Sequence, residues 1–329
     1  MNNTYKFKIT TLLIVLVVIL FSSHYTYNIF KSNEDIPVTE DILLSTPTYN
    51  NQYNTTTDNI NNHTTLSQCS LDYKSLSYSE RLNILFDNNY SLEDRLKIYL
   101  GDDIDNIGLI YYNFKNKTTI NINENKEFIA ASTYKVGLNF YAYYLNSIGK
   151  LDLNEYIQYS PEDFEEGTGI LQNEYCIGSY KIQDLLDLSL IYSDNIATNM
   201  LGRYLGGHEE VRKNLYELLN INFSSTENII TPSIEFKILK YLYDFNYYPN
   251  FSHMLSVLTQ SEYNDRLAKY LNPNIVAHKI GTYDTYIHDV GIVFDNNPYI
   301  IILYTHDIDN AEEKIANISN TIYQYTNLK

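Results

Sequence analysis

Ala131-Ser132-Thr133-Tyr134-Lys135 is the stretch on which the interpretation of the whole chain depends. Its serine and lysine are three positions apart, so on a helix they lie on one face, about one turn from each other. The apolar residues that follow recur at near-helical spacing and predict a helix that begins here. Ser132 is therefore expected in the first turn, where free N–H groups and the positive end of the helix dipole favour a developing anion.

This stretch makes a chemical demand on the remaining sequence. A serine hydroxyl is a poor nucleophile until a base removes its proton, and Lys135 can be that base only when it is neutral. Burial and a second nearby cation both disfavour a charged lysine. We therefore expect a pocket, another cation, a proton relay and an oxyanion site. The same spacing recurs in Ser147-Ile148-Gly149-Lys150, which we interpret as a solvated helix end.

The composition limits the possible classes of protein. The chain has 329 residues, of which 44% are hydrophobic, and a net charge of −17, which argues against nucleic-acid binding by bulk electrostatics. Cys69 and Cys176 cannot form a disulfide framework; two unpaired thiols are favoured over a single bridge. We expect a monomer that uses no metal and no cofactor.

The N-terminal part of the sequence predicts export. Residues Ile9 to Phe21 are almost wholly apolar and follow Lys6 and Lys8, the charge order of a secretory signal or of a membrane anchor. Residues 1–23 contain no A-x-A-like cleavage site, so a retained anchor is favoured over a cleaved signal. Residues 24–74, rich in Asn and Thr, are predicted to be a disordered tether. The folded domain is expected over residues 75–329.

The order of predicted elements indicates the fold class. Two helices, around residues 78–86 and 92–100, precede a strand hairpin over 107–122, and a block of helices follows the Ser132 stretch to about residue 243. Three strands over 275–281, 287–294 and 299–306 precede a last helix over 311–325. Strands at both ends of a domain pair only if those ends meet. We therefore predict an α+β fold: a five-stranded antiparallel sheet flanked by helices, with an inserted all-helical lobe.

Two further motifs could meet the demand of the Ser132 stretch. Ser193-Asp194-Asn195 stands at a corner between two predicted helices, and His278-Lys279-Ile280-Gly281-Thr282 ends a predicted strand. Alone, the first could be a plain N-cap cluster and Lys279 an ordinary cation at a strand end. Asp194 is expected to cap or brace the corner. Together with S-x-x-K, the motifs form the set typical of class A β-lactamases and penicillin-binding proteins.

The sequence therefore resembles the class A β-lactamase-like serine hydrolases, from about residue 75 to residue 329, and also in the flanking stretch Thr168-Gly169-Ile170-Leu171-Gln172. The resemblance implies a β-lactamase/transpeptidase-like fold and a β-lactam or cell-wall peptide substrate. It implies that Ser132 is the acylated nucleophile and Lys135 its base. Ser193 would relay a proton, and Asn195 would bind Lys135 or a substrate amide.

The resemblance also implies roles on the C-terminal strands. Lys279 would be the second cation, Gly281 and Thr282 would line the substrate site, and the N–H groups of Ser132 and Thr282 would form the oxyanion hole. His288 falls on the neighbouring strand, where many class A enzymes keep an arginine for the substrate carboxylate. It is either a histidine at a strand edge or a carboxylate ligand that binds better when protonated.

Two departures from the family pattern affect the expected function. Ile280 replaces a hydroxyl residue that normally helps to bind the substrate carboxylate, a loss that Thr282 could partly offset. The deacylating pattern Glu-x-x-Leu-Asn is missing between the second and third motifs, where neither Glu217-Leu218-Leu219-Asn220 nor Glu227-Asn228 has its spacing. Three glutamates precede the second motif, so chain order excludes them as equivalents and a solvated loop is expected: Glu162, Glu165 and Glu166.

Three functions remain open from the sequence. The first is an exported serine hydrolase acting on β-lactams or cell-wall peptides, with slow β-lactam turnover because the glutamate is missing. The second is a peptidase-like penicillin-binding protein or a sensor that is acylated without efficient turnover. A scaffold without catalytic activity is the weakest alternative, because every acylation residue is present.

Overall fold

A five-stranded antiparallel sheet organises the part of the chain that the structure describes, residues 75–223 and 227–327 of a computed structural model. All of these residues belong to one compact unit. The strands described are, in chain order, β1 (Ile107–Asn113), β2 (Thr119–Ile122), β3 (Phe128–Ile129), β4 (Tyr156–Gln158), β5 (Ser179–Lys181), β6 (Ile229–Ile230), β7 (Val276–Tyr283), β8 (Tyr286–Val293) and β9 (Tyr299–His306).

Helices cover the sheet and fill the region between its first two and last three strands. The α-helices described are, in chain order, α1 (Tyr78–Leu85), α2 (Leu92–Leu100), α3 (Tyr134–Ser147), α4 (Ile182–Ile191), α5 (Asn195–Tyr204), α6 (His208–Leu218), α7 (Pro232–Asp244), α8 (Pro249–Leu258) and α9 (Ala311–Asn327). Within these ranges no helix is both long and apolar enough to cross a lipid bilayer.

The order of strands in the central sheet is β2-β1-β9-β8-β7, and neighbouring strands run antiparallel. The first strand therefore pairs with the last, in a register that sets Ile107 opposite Thr305 and Asn113 opposite Tyr299. This pairing brings the two ends of the domain together. The predicted α+β fold, a five-stranded antiparallel sheet flanked by helices and interrupted by a helical insertion, is confirmed.

The main core lies between the sheet and the helices at the two ends of the domain. Apolar residues of α1, α2 and α9 pack on side chains of β1 and β9, among them Leu96, Leu109, Leu303 and Ile318. Burial of each such side chain stabilises the fold by about 1.5–3 kcal/mol. On α2 the apolar positions share one face, and the Ser91 side chain caps the first turn by accepting from the Asp94 N–H at 3.1 Å.

Two small ladders were not predicted from the sequence. β3 pairs with β6, which sets Phe128 opposite Ile230, and β4 pairs with β5. Ladders of two or three residues are too short to show an alternating pattern. The β3–β6 ladder matters for the site because it lies directly before the Ser132 turn.

Some predictions fall wholly or partly outside the described residues. The N-terminal anchor or signal (1–23) and the tether (24–74) lie outside the described residues, so both stay predictions, as does the domain boundary near residue 75. Cys176 is exposed, and Cys69 lies outside the described residues.

Candidate active site

The nucleophile candidate Ser132 lies in a 3₁₀ turn, Ala131–Thr133, which leads directly into α3. The sequence placed it in the first turn of the regular helix, but the regular helix begins two residues later, at Tyr134. The turn starts from a strained residue, since Ala131 has a φ of 48°, a conformation that costs energy for a residue with a Cβ. Ser132 is half-buried and shares a helical face with Lys135, which is buried.

Gly281 lets the edge strand β7 pass directly against this turn. A Cβ atom on Gly281 would lie 2.9 Å from the Ala130 carbonyl oxygen and 3.0 Å from Thr133 Cγ2. Real Cβ atoms need more room than this, so a glycine is required at this close approach. The next residue of the strand, Thr282, is therefore held beside the turn that carries Ser132.

The Ser193-Asp194-Asn195 motif forms a braced corner between α4 and α5. Ser193 has a φ of 53°, and the Asp194 carboxylate caps α5 by accepting from the Ala197 N–H at 2.9 Å. The same carboxylate also accepts from the N–H groups of Ile170 and Leu171, at 2.7 and 2.9 Å. The structure thus agrees with the predicted bracing role of Asp194.

Lys135 directs its protons at this corner. Its Nζ atom donates to the Ser193 carbonyl oxygen at 2.5 Å, to Ser193 Oγ at 3.1 Å and to Asn195 Oδ1 at 2.7 Å. Lys279 reaches the same hydroxyl from β7: its Nζ donates to Ser193 Oγ at 2.9 Å and to the Ile280 carbonyl oxygen at 2.9 Å. One serine hydroxyl therefore bridges two buried lysines.

Burial moves both lysines towards their neutral forms. It lowers the pKa of Lys135 to about 7, against the opposing effects of the negative charges of Glu165 and Asp194. Burial also lowers the pKa of Lys279 well below its ordinary value, and the positive charge of Lys135 lowers it further. The sequence had assigned the depression of the Lys135 pKa in part to a second cation; the structure identifies desolvation as the main cause.

Arg266 is a site residue that sequence reasoning missed. Its buried guanidinium donates to Thr282 Oγ1 at 2.6 Å, to the Gly281 carbonyl oxygen at 2.9 Å and to the His288 carbonyl oxygen at 2.7 Å. It holds the end of β7 in place and puts a permanent positive charge beside Thr282, where Ile280 offers no hydroxyl group. No motif marks it, because it lies in an irregular segment before β7.

His288 does not lie where the carboxylate-binding prediction requires it. Its side chain is 0% exposed; Nδ1 accepts from the Thr305 N–H at 3.1 Å and Nε2 donates to the Ile129 carbonyl oxygen at 2.8 Å. Burial lowers its pKa to about 4. The prediction that His288 binds a substrate carboxylate is therefore wrong, and so is the strand-edge alternative, because β8 lies inside the sheet. His288 supports β3 from behind.

A second polar network lies behind the same turn. Thr133 Oγ1 donates to the Ala130 carbonyl oxygen at 2.7 Å and lies 3.0 Å from the Tyr304 hydroxyl, which in turn donates to Glu235 Oε2 at 3.1 Å. Glu235 is fully buried, and burial raises its pKa to about 8. It lines a small cavity with Asn228 and residues of α3 and α6. Nothing in the sequence distinguished Glu235 from a surface glutamate of a helix.

The three glutamates are exposed, as expected of a solvated loop, but the loop is also attached to α5. The side chain of Asn199 donates to Glu165 Oε2 at 2.8 Å, and that of Asn195 donates to the Glu166 carbonyl oxygen at 3.2 Å. The side chains of Glu162, Glu165 and Glu166 are exposed, but the backbone that carries them follows the helix.

The remaining predictions are placed as follows. The second S-x-x-K copy lies at the end of α3, where the Ser147 hydroxyl donates to the Tyr144 carbonyl oxygen at 2.7 Å and Lys150 is exposed, so its interpretation as a helix end is confirmed. A search of the described ranges finds no group of three or more potential metal-ligating side chains. The arrangement around Ser132 suits nucleophilic chemistry: a serine, a lysine on the same helical face with a pKa lowered by burial, a hydroxyl that bridges two lysines, and the positive charge of Arg266 beside Thr282.

Comparison with known proteins matches the sequence to one family. The model of the Beta-lactamase enzyme family matches residues 91–326. A β-lactamase of Bacillus subtilis (strain 168) is 32% identical over 112 residues, which are 34% of this chain and 36% of that protein. The match thus spans about a third of the curated relative's length.

Solved structures show the same fold. PBP-A superposes with a TM-score of 0.64 at 21% identity, over 71% of this chain and 94% of that one. A β-lactamase from Sphaerobacter thermophilus DSM 20745 gives 0.62 at 23%, over 68% and 91%. The TLA-3 extended-spectrum β-lactamase gives 0.64 at 20%, over 71% and 97%. Since the family model covers well over half of the sequence, the chain belongs to the β-lactamase enzyme family, and the resemblance to β-lactamase-like serine hydrolases is confirmed.

Proposed function

We propose that the protein is an extracytoplasmic serine hydrolase that is acylated at Ser132 by the amide bond of β-lactams. The observation that carries this proposal is the pair of buried lysines joined by Ser193 Oγ, at 3.1 Å from Lys135 Nζ and 2.9 Å from Lys279 Nζ. A structural salt-bridge site would pair cations with carboxylates. Two lysines around one hydroxyl, with the pKa of Lys135 near 7, instead suit proton transfer.

The proposed acylation step assigns a role to each of these groups. Neutral Lys135 takes the proton of Ser132 Oγ, and the oxygen attacks the carbonyl carbon of the substrate amide. The negative charge that develops on the carbonyl oxygen is stabilised by N–H groups of Ser132 and Thr282. When the C–N bond breaks, Ser193 Oγ gives its proton to the leaving nitrogen and takes in return the proton that Lys135 received from Ser132.

The anionic group of the substrate is assigned to the end of β7. Lys279 and Arg266 supply positive charge there, and the Thr282 hydroxyl offers a hydrogen bond. Arg266 replaces His288 in this proposal, because both ring nitrogens of that histidine already have partners. Asn195 Oδ1 accepts from Lys135 and its amide nitrogen donates one proton to the Glu166 carbonyl oxygen, so the second N–H of that nitrogen is assigned to a substrate amide.

Slow release of the acyl group is part of the proposal. The interval between Asn195 and Lys279 contains no Glu-x-x-Leu-Asn pattern, so acylation is expected to be faster than hydrolysis of the acyl-enzyme. The same gap supports a second candidate function, a penicillin-binding peptidase or sensor that is acylated with little turnover. PBP-A is among the structures with the same fold, and a mutant of PBP-A has been solved as an acyl-enzyme complex with penicillin G.

Intact-mass spectrometry after incubation with penicillin G and with nitrocefin tests the proposal. We expect one covalent adduct on the wild-type domain, no adduct on Ser132→Ala and an unchanged adduct on the matched control Ser147→Ala. A nitrocefin trace should show a burst close to one equivalent of enzyme, followed by a slow steady state. An adduct that survives Ser132→Ala would overturn the assignment of the nucleophile. Turnover without a burst would favour a fast hydrolase, and a permanent adduct would favour the sensor.

Localisation is proposed from the sequence alone. The apolar segment after Lys6 and Lys8 supports a membrane-anchored protein whose catalytic domain lies outside the cytoplasm, or a secreted one if the segment is removed. Protease protection of the full-length protein in intact cells tests this. Loss of the C-terminal domain on external protease treatment is expected, and full protection would contradict the proposal.

A further inference from the structure

The loop before the Ser193 corner is fastened along one face of α5 by side chains on successive turns. Asn195 donates to the Glu166 carbonyl oxygen at 3.2 Å. One turn later, Asn199 donates to Glu165 Oε2 at 2.8 Å, and two turns later Arg203 donates to both oxygens of the Asp163 carboxylate, each at 2.8 Å. Residues four apart share a helix face, so these contacts define one continuous strip.

The strip fixes where the Glu165 carboxylate lies. Asp163, 1% exposed, anchors the loop on one side, and the backbone at Glu166 anchors it on the other. The Glu165 side chain is thus held on the same face of α5 as Asn195, one turn away from it. Asn195 Oδ1 in turn accepts from Lys135 Nζ at 2.7 Å.

The electrostatics of the site agree with this placement. Among the charged groups that act on Lys135, Glu165 has the largest effect, ahead of Asp194, and its negative charge raises the pKa of Lys135 against the lowering caused by burial. Glu165 also raises the pKa of His208, whose Nε2 lies 3.1 Å from Asn199 Oδ1. The carboxylate is therefore close enough to the catalytic lysine for their charges to interact.

The other carboxylates near the cleft are arranged differently. Glu162 lies 3.7 Å from Arg203 with a side chain that is 70% exposed, and Glu166 is held through its backbone carbonyl. Glu227 is exposed and precedes Asn228, whose backbone and side chain hold Ala130 and Ala131 from behind the nucleophile turn. The Glu165 carboxylate accepts from Asn199, one turn from Asn195, whereas that of Glu162 lies beside Arg203, two turns from Asn195.

We propose that Glu165 is the general base that activates the water for hydrolysis of the acyl-Ser132 ester, a role that rests on the proposed function. The carboxylate takes one proton from water as the water oxygen bonds to the ester carbonyl carbon. The tetrahedral intermediate then collapses, the bond from carbon to Ser132 Oγ breaks, and Glu165 returns the proton to Oγ. The products are a free carboxylic acid and the regenerated serine, so the step consumes one water and no other reactant.

The Glu-x-x-Leu-Asn pattern is missing from the interval between Asn195 and Lys279, and Glu165 would supply the carboxylate in its place. The base would be delivered by a loop that precedes the Ser193 motif instead of one that follows it. Asn199 holds the Glu165 carboxylate one helical turn from Asn195, and the Glu165 side chain is exposed. We therefore expect hydrolysis of the acyl-enzyme to be slower than acylation.

The test compares three purified proteins: the wild type, Glu165→Gln, and Glu166→Gln as the control at the neighbouring residue of the same loop. Glutamine keeps the size of the side chain and the contact with Asn199 through its amide oxygen, but it cannot accept a proton. Acylation by penicillin G is followed by the rate of adduct formation, and deacylation by the decay of the isolated adduct, both by intact mass. Loss of a general base typically slows a reaction by about 10²–10⁴-fold.

We expect Glu165→Gln to form the adduct at a rate within a few fold of wild type and to lengthen its lifetime by about 10²–10⁴-fold. Glu166→Gln should change neither rate. An unchanged lifetime in Glu165→Gln would overturn the assignment of the base while leaving acylation at Ser132 intact. If Glu165→Gln changes only the rate of acylation and the pH midpoint of that rate, Glu165 acts only through Lys135. That result would also overturn the assignment of the base. Absence of any adduct on the wild type would refute the proposed function instead.

Discussion

Two buried polar networks hold the turn that carries Ser132, one in front of it and one behind. The front network joins Lys135, Ser193 and Lys279, and the back network joins Thr133, Tyr304 and Glu235. In both, burial favours the neutral form of the ionisable groups: it lowers the pKa values of the lysines and raises that of Glu235. The same physical cause thus acts on opposite sides of one turn.

The two networks differ in what a neutral group can do. A neutral lysine that shares a face with a half-buried serine is a base, because it can take up a proton from a reacting group. A neutral carboxyl group inside the core is a hydrogen-bonding support. The comparison teaches that a shifted pKa marks a catalytic group only where the group reaches the cleft. It also predicts variants whose effects can be separated. Substitutions in the front network should change the rate of acylation, and substitutions in the back network should change the stability of the fold.

The largest effect is expected at Lys135. Lys135→Ala removes the base, and we expect acylation of the folded variant by penicillin G to slow by about 10²–10⁴-fold. Because burial lowers the pKa of Lys135 to about 7, acylation by the wild type should rise with pH through about 7 and then level off. Adduct formation between pH 5 and 9 measures both effects.

The control for this variant is Lys150→Ala, at the exposed lysine of the second S-x-x-K copy, which should acylate like the wild type. Acylation that is independent of pH between 6 and 8, or a Lys135→Ala variant that acylates at the wild-type rate, would remove the distinction between the two networks.

A somewhat smaller effect is expected at Ser193. Ser193→Ala removes the hydroxyl that accepts from both lysines but leaves its carbonyl contact with Lys135. Without the relay, protonation of the leaving nitrogen should slow, and we expect acylation to fall by about 10²-fold, the low end for lost acid–base catalysis. The substitution Ser189→Ala removes another buried hydroxyl of the same lobe and serves as the control. Equal losses of acylation in both variants would assign the effect to packing instead of proton transfer.

The sequence predicted the front network better than the back one, for a physical reason. Proton transfer needs particular residue types at close spacing, so Ser132, Lys135, Ser193 and Lys279 were all identified from short motifs. The supports of the turn come from distant segments and could be met by many residue types. Glu235 and Arg266 therefore left no signal that sequence alone could detect.

The fold was predictable for a similar reason. β9 is a long run of residues buried on both faces and α2 a helix with a capped first turn, and their predicted bounds, 299–306 and 92–100, agree with the structure. His288 marks where the reasoning failed. His288 lies opposite Gly281, on the face of the sheet that carries the Ser132 turn, but its ring nitrogens are taken up by backbone groups of β3 and β9, partners that come from distant segments and leave no sequence signal.

At Glu235 we expect an effect on stability that depends on pH. The pKa of its carboxyl is raised from 4.5 to about 8, so between these values the folded protein binds a proton that the unfolded chain has released. The free energy of unfolding should therefore fall as pH rises through this window, by at most about 1.4 kcal/mol per pH unit. Glu235→Gln should remove this slope and leave the acylation rate within a few fold of wild type.

Thermal unfolding at pH 5, 6.5 and 8 checks the prediction for Glu235. Glu217→Gln, on the neighbouring helix α6, is the matched control and should keep the wild-type slope. A parallel pH dependence in wild type and Glu235→Gln would show that this carboxyl is ionised in the folded state.

The smallest effect on chemistry is expected at His288, and it separates the two networks most directly. Burial lowers the pKa of His288 from 6.5 to about 4, so the folded protein holds it neutral while the unfolded chain binds a proton between these values. The free energy of unfolding should rise with pH from about 4 to 6.5, opposite in sign to the contribution of Glu235. His288→Ala leaves the Ile129 carbonyl and the Thr305 N–H without their partner, which should cost about 1–3 kcal/mol and remove that rise.

The folded variant should nevertheless acylate with its midpoint still near pH 7, since that midpoint belongs to Lys135. Measured at a temperature well below the melting transition, a midpoint that moves in His288→Ala would place the histidine in the front network after all, because a support behind the turn has no proton to contribute to the reaction.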